Sequence, residues 1–144
     1  MTTTGVLTST DVARANIEAF NAGDWKGLAA TFADTCVYEE FATHRHLEGQ
    51  EAIVQANRGW KEAFPDAEGK IERATADNGT VTLELTWQGT QSGPLHMPNG
   101  DIPPSNRRIN LRAAQVFEIE GEHIREARHY FDLTSLLQQI GAVA

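Results

Sequence analysis

Near the C-terminus, Glu126, Arg128, His129, Tyr130 and Asp132 crowd into one short stretch, with only Ala127 and Phe131 between them. These side chains can do proton chemistry. A carboxylate or an imidazole exchanges protons near neutral pH once its surroundings shift its pKa, and a phenol or guanidinium can hold a developing negative charge. A strand face that only fills a core has no use for them, because burying an unpaired polar group or charge is costly. They face water, or they line a pocket.

Residues 106–120 read as a long strand that turns at Glu120-Gly121, and the polar stretch returns antiparallel from about His123 to Asp132. With a two-residue turn, odd positions on the first strand share a face with even positions on the second. Leu111, Ala113, Gln115, Phe117 and Ile119 form the core face, which therefore also takes Ile124, Glu126, Arg128, Tyr130 and Asp132. Arg125, Ala127, His129 and Phe131 go to the other face. A bulge in either strand exchanges the two sets and brings His129 inward. On the simple parity, Asp132 is the acid–base candidate, since a carboxylate half inside an apolar cavity has its pKa raised toward neutrality. The structural alternative is an ion pair between Glu126 and Arg128, with Asp132 capping a helix that starts at Leu133-Thr134-Ser135. The two differ in the interior they require. An open cavity on the order of several hundred Å³ with Asp132 at its wall suits an enzyme, whereas a filled interior with Asp132 only as a cap suits a binding or structural module.

Positioning these groups falls to the rest of the chain. Thr8-Ser9-Thr10-Asp11 offers N-caps for a helix that Gly23 ends, and Asp24 caps a second short helix carrying Trp25, Leu28 and Phe32. Residues 36–41 read as a strand, residues 42–49 as a polar loop holding His44 and His46, and residues 50–64 as a third helix with Ile53, Trp60 and Phe64 on one face. Asn78-Gly79 marks a hairpin between residues 70–77 and 80–91, and the second of these strands puts Val81, Leu83, Leu85 and Trp87 on one face. Residues 92–105 form a long loop of the kind that often serves as a lid. The order is α+β: three N-terminal helices and a short C-terminal helix packed on one face of an antiparallel sheet, in one domain spanning 1–144 with a loose tail before about residue 8.

Composition narrows the function. A net charge of −8 argues against a nucleic-acid partner. The single cysteine, Cys36, excludes an internal disulfide framework and a multi-thiolate metal site. No basic–apolar leader and no membrane-length apolar run is present, so the expected location is the cytoplasm. His44 and His46 lack a third ligand at useful spacing. A Gly-x-Ser-x-Gly elbow is missing, and Cys36 has no evident His partner in sequence, so nucleophilic catalysis has little support.

Several segments carry a family resemblance. They are Gly49-Gln50-Glu51-Ala52-Ile53, Trp60-Lys61-Glu62-Ala63-Phe64-Pro65-Asp66, Trp87-Gln88-Gly89-Thr90-Gln91-Ser92-Gly93-Pro94, Pro103-Pro104-Ser105-Asn106-Arg107-Arg108, Arg128-His129-Tyr130-Phe131-Asp132 and Leu136-Leu137-Gln138-Gln139-Ile140-Gly141. Together the chain resembles the SnoaL-like polyketide cyclases (ester cyclases) of the nuclear-transport-factor-2-like superfamily. The resemblance implies a curved antiparallel sheet wrapped by the helices into a cone with one apolar pocket, and an intramolecular aldol condensation of a small hydrophobic β-keto ester, without metal or cofactor. It carries the acid–base role onto Asp132 and substrate binding onto Gln115. Beside these, the residues themselves make His129 a further catalytic candidate and Tyr130, Arg128, Gln91, Trp87, Trp60 and His44 further substrate-binding candidates of this chain. It departs from the family pattern at Gln91, Arg128 and His129, where a histidine, a tryptophan and an acidic residue are common. A homodimer or homotetramer is expected. Isomerase, dehydratase or epoxide hydrolase chemistry on the same fold, and a non-catalytic small-molecule-binding module, are the alternatives.

Overall fold

A computed structural model describes residues 7–143. The expected loose tail lies outside the described residues except for Leu7, whose N–H donates to the Glu122 carboxylate at 3.0 Å.

The first helix, α1 (Ser9–Ala22), starts where its caps dictate. The Thr8 hydroxyl accepts from the Asp11 N–H while the Asp11 carboxylate accepts from the Thr8 N–H, and Gly23 ends the helix at φ 68°. Asp24 caps α2 (Trp25–Ala30) by accepting from the Gly27 N–H. Phe32 does not belong to this helix, as its spacing suggested, but opens β1 (Phe32–Glu40). A 3-10 turn at Phe41–Thr43 and a left-handed His44 (φ 59°) then reverse the chain into β2 (Arg45–Glu48), where a polar loop was expected. The third helix, α3 (Gln50–Ala63), leads to β3 (Glu68–Asp77) and β4 (Thr80–Thr90). Their turn, Asn78-Gly79, has both φ angles positive, at 50° and 82°. The expected long loop holds a small hairpin, β5 (Leu95–Met97) with β6 (Gly100–Ile102). The chain closes with β7 (Arg108–Glu120), β8 (His123–Phe131) and α4 (Leu133–Gln139).

Six strands form one curved sheet in the order β2-β1-β8-β7-β4-β3. All neighbours are antiparallel except β1 and β8, which run parallel, so the sheet is mixed where an antiparallel one was expected. These two strands stand at opposite ends of the strand sequence, and the helices and meander between them supply the long crossover that a parallel pair needs.

The β7–β8 hairpin overturns the simple parity. Glu120 pairs with His123 and Ile119 with Ile124, as a two-residue turn requires; then Arg125 is left over, and Glu118 pairs with Glu126. Beyond this bulge, Gln115 faces His129 and Phe117 faces Ala127. The inner face therefore takes Ala127, His129 and Phe131, while Glu126, Arg128 and Tyr130 turn outward. The core lies between α1, α3 and this inner face, with Ile17, Phe20, Ile53, Leu83, Leu85, Phe117 and Ala127 buried together. Each large apolar side chain so buried stabilises the fold by about 1.5–3 kcal/mol. A smaller cluster under α4 joins Leu136 and Ile140 to Phe64, Leu95, Ile109 and Leu111. No helix of the described residues is long and apolar enough to cross a membrane.

Candidate functional site

Between α1, α3, α4 and the inner face of the sheet lies a cavity of about 70 Å³. Its wall is mainly apolar, with aromatic rings from four elements: Phe20 comes from α1, Trp60 from α3, Trp87 from β4 and Phe131 from β8. Phe20 and Trp87 meet edge to face at 5.2 Å, and Trp60 and Phe131 at 5.8 Å, so the walls brace one another. Polar atoms enter from Asn16, Tyr38, Asn57, Gln115 and His129.

His129 is buried, and both of its ring nitrogens are engaged. Nδ1 stands 2.9 Å from the Tyr38 hydroxyl, and Nε2 accepts from the Trp87 indole N–H at 3.3 Å. Burial pushes the imidazole pKa down to about 4, against an opposing pull from Glu40. The ring is therefore neutral at pH 7 and able to accept a proton. Tyr38 sits one strand away. Burial first, and the Glu40 carboxylate second, raise its phenol well above the ordinary value, so it keeps its proton.

Glu40 ends β1 and is wholly buried. Its carboxylate accepts from the Tyr38 hydroxyl at 2.9 Å, the Trp60 indole N–H at 2.9 Å and the Thr43 hydroxyl at 2.5 Å. The Arg45 guanidinium lies 3.8 Å from the same carboxylate and over the Trp60 ring. Gln115 is buried too, and no donor of the described residues reaches its side-chain carbonyl oxygen. Buried polar atoms are almost always paired, so an orphan acceptor at a cavity wall marks a place where a ligand's donor fits.

The structure thus brings together four of the expected site residues: His129, Gln115, Trp87 and Trp60. It separates the other five. Asp132 lies outside the cavity wall and caps α4, accepting from the Thr134 N–H at 3.0 Å and the Ser135 hydroxyl at 2.8 Å. Those bonds, the Ser135 hydroxyl foremost, hold its carboxyl below the usual range rather than above it. Arg128 is turned outward by the bulge and pairs at 2.8 Å with both Glu118 and Glu126, which raises its pKa further. Tyr130 is 43% exposed and stacks on Phe41. Gln91 is buried, but its amide is spent on backbone: Nε2 donates to the carbonyls of Gly93, Ile102 and Pro103, and Oε1 accepts from the Ser105 N–H. This pins the base of the 92–105 segment. His44 is exposed, because its left-handed backbone serves the turn into β2.

Several residues at the site were not among the expected site residues, Tyr38, Glu40 and Asn16 among them. Tyr38 and Glu40 follow Cys36 at alternate positions of β1, all three buried, so the period of two carried the signal. Asn16 lies in phase with Val12, Ala13, Ile17 and Phe20 on α1, and its amide donates to the Thr31 hydroxyl at 3.0 Å. Among the described residues, no group of three or more His, Cys, Asp or Glu side chains is placed to hold a metal ion.

Comparison with known proteins gives the same architecture. A candidate SnoaL-like polyketide cyclase from Jannaschia sp. CCS1 superposes with a TM-score of 0.83 at 18% identity, covering 100% of this chain and 99% of that one. IdmH, a candidate polyketide cyclase from Streptomyces antibioticus, gives 0.79 at 20% identity over 94% and 99%. A Catenulispora acidiphila protein of ketosteroid isomerase-like fold, solved with trimethylamine, gives 0.78 at 22% identity over 93% and 95%. At these identities the likeness is one of fold. Among curated proteins there is no match. The family model for SnoaL-like polyketide cyclase matches residues 10–140.

Proposed function

This chain belongs to the SnoaL-like polyketide cyclase family, and from that premise we propose that it is an acid–base enzyme that closes a ring in a small apolar β-keto ester, with His129 as its proton-transfer group. The observation that carries this reading is His129 itself, a neutral, buried imidazole at the wall of an aromatic cavity.

Nε2 takes a proton from the carbon between two substrate carbonyls, and the electron pair left behind forms the enolate. The enolate carbon attacks a second carbonyl of the same molecule. A carbon–carbon bond forms, the π pair moves to oxygen, and the imidazolium returns its proton there. Nothing is gained or lost overall. The Trp87 N–H, at a long 3.3 Å, yields Nε2 to the substrate. Gln115 supplies an acceptor for the hydroxyl that forms when the proton returns, and the aromatic walls keep water out. Acid–base catalysis contributes about a hundred- to ten-thousand-fold, and orientation in the cavity supplies the remainder.

Turnover of a cyclisable β-keto ester by the His129→Gln variant tests the assignment. We expect a loss of about a hundredfold or more with the melting temperature preserved. Turnover equal to that of an active wild type sinks it. A second reading, a module that binds such molecules without converting them, draws support from the helix-cap position of Asp132 and the small volume of the cavity. It predicts tight binding of the same ester with no product from the wild type.

A further inference from the structure

Four groups form a continuous chain of hydrogen bonds: the Trp87 indole N–H, the His129 imidazole, the Tyr38 hydroxyl and the Glu40 carboxylate. The two ends have fixed polarity. An indole N–H can only donate, and a carboxylate can only accept. The neutral imidazole and the hydroxyl between them each donate once and accept along the chain. One assignment satisfies all four: Trp87 donates to Nε2, Nδ1–H donates to the Tyr38 oxygen, and the Tyr38 hydroxyl donates to Glu40.

The backbone builds this line. Glu40 and His129 are register partners in the parallel β1–β8 ladder, and Tyr38, two residues back on the same face of β1, reaches the ring. Glu40 is in turn held from three sides, by the Trp60 N–H, the Thr43 hydroxyl and the nearby Arg45 guanidinium. Of the two ends, Glu40 is the firmer. The Trp87 contact is long and its side chain half-buried, so its N–H can find another partner. The Tyr38 hydroxyl is sealed in and must donate to whatever acceptor it has. The residues that α1, α3, β4 and β7 present to the cavity carry no ionisable group, so Glu40, with Arg45 beyond it, is the charge that acts on the ring.

We propose that Glu40 is a positioning residue for His129, which through the Tyr38 hydroxyl fixes the imidazole as the tautomer protonated on Nδ1 and so leaves Nε2 as the basic atom toward the cavity. The proposal rests on the reading of His129 as the acid–base group, but its test does not need turnover. A carboxylate that merely tied the 3-10 turn to α3 would leave the imidazole tautomer untouched when replaced.

The experiment is long-range proton–nitrogen correlation NMR at pH 7 on the full chain with 15N-labelled histidine. Wild-type His129 should carry its proton on Nδ1. Glu40→Leu removes the acceptor, so the Tyr38 hydroxyl turns to donate to Nδ1, and the proton should move to Nε2. Glu40→Met, which also removes the acceptor while keeping the Tyr38 hydroxyl, should do the same. Glu40→Gln still offers an amide oxygen and should keep the wild-type tautomer. A wild-type proton on Nε2 overturns the proposal. So does retention of the Nδ1 proton in Glu40→Leu or, where that variant does not fold, in Glu40→Met. Loss of the Nδ1 proton in a folded Glu40→Gln also overturns it. A failed His129→Gln turnover assay would remove the acid–base reading while leaving these spectra as they are, so the two failures are told apart.

Discussion

Gln115 and His129 are partners across the β7–β8 ladder, and they are partners only because Arg125 is left unpaired between Ile124 and Glu126. That one extra residue decides which side chains the cavity receives. A ladder that took Arg125 in as a paired residue would set Arg128 opposite Gln115 and turn His129 out. Deleting Arg125 removes the extra residue itself, so Glu118 still meets Glu126, Gln115 still meets His129, and the inward set is kept. The expected outcome is a variant that retains a cooperative melting transition, read by circular dichroism. Loss of that transition would contradict the assigned role of the bulge.

Asp132 is predicted to matter for stability and little for turnover. Asp132→Ala removes the cap of α4 and should cost about 1 kcal/mol in denaturant unfolding. Asp132→Asn keeps a capping oxygen and should retain both stability and turnover of the β-keto ester. A large loss of turnover in Asp132→Asn, with stability kept, would return the acid–base role to this carboxylate.

His129 should make the fold sensitive to mild acid. Its pKa is lowered from 6.5 in the unfolded chain to about 4 by burial, so across that window the unfolded chain binds the extra proton. The contribution is fully present above pH 6.5 and is lost as pH falls toward about 4, amounting to on the order of 3 kcal/mol. The exposed His46 and His96, raised by hydrogen bonds to Glu48 and to Asp101 respectively, act in the opposite sense: their contribution is present at low pH and lost as pH rises. Urea titrations of wild type and His129→Gln isolate the buried ring, because only the difference between them should carry this slope.

Gln115→Leu should separate stability from binding. It removes a buried acceptor that no protein donor satisfies, so the melting temperature should stay level or rise. Affinity for a donor-bearing ligand, measured calorimetrically, should fall about tenfold, the equivalent of one hydrogen bond. A ligand affinity unchanged by the substitution would show that this oxygen is not used.

Gln91→Leu should free the 92–105 segment. Three carbonyls and one N–H lose a buried partner at once, and a cost of about 3 kcal/mol or more is expected. Amide hydrogen exchange would locate the damage, with protection lost first in β5 and β6.

The helices were legible because their ends are written locally. Thr8 with Asp11, Gly23 and Asp24 each act on neighbours within a few residues, and the Asn78-Gly79 turn and the alternation through β4 work the same way. The family match and the fold agree with what the sequence implied. The inward set on β8 was not legible, since a bulge changes no composition and shows itself only in the partner strand. A short polar strand such as β2 looks like a loop for lack of an apolar face. Glu40 was missed because a charge on a strand suggests solvent; its burial depends on Trp60 from a helix and Thr43 from a turn, partners that sequence spacing does not reveal.

The parallel seam between β1 and β8 has a consequence for how the molecule comes to be. One of the two central strands of the sheet, β8, is the last in the sequence. Until it inserts, β1 with β2 and β7 with β4 and β3 are two fragments, each with an open edge able to pair with the wrong chain. Joining them requires contacts between distant parts of the chain, which slows folding and prolongs the aggregation-prone stage. The same insertion sets His129 beside Tyr38 and Glu40, so the proposed proton-transfer group meets its partners only when the last seam has closed.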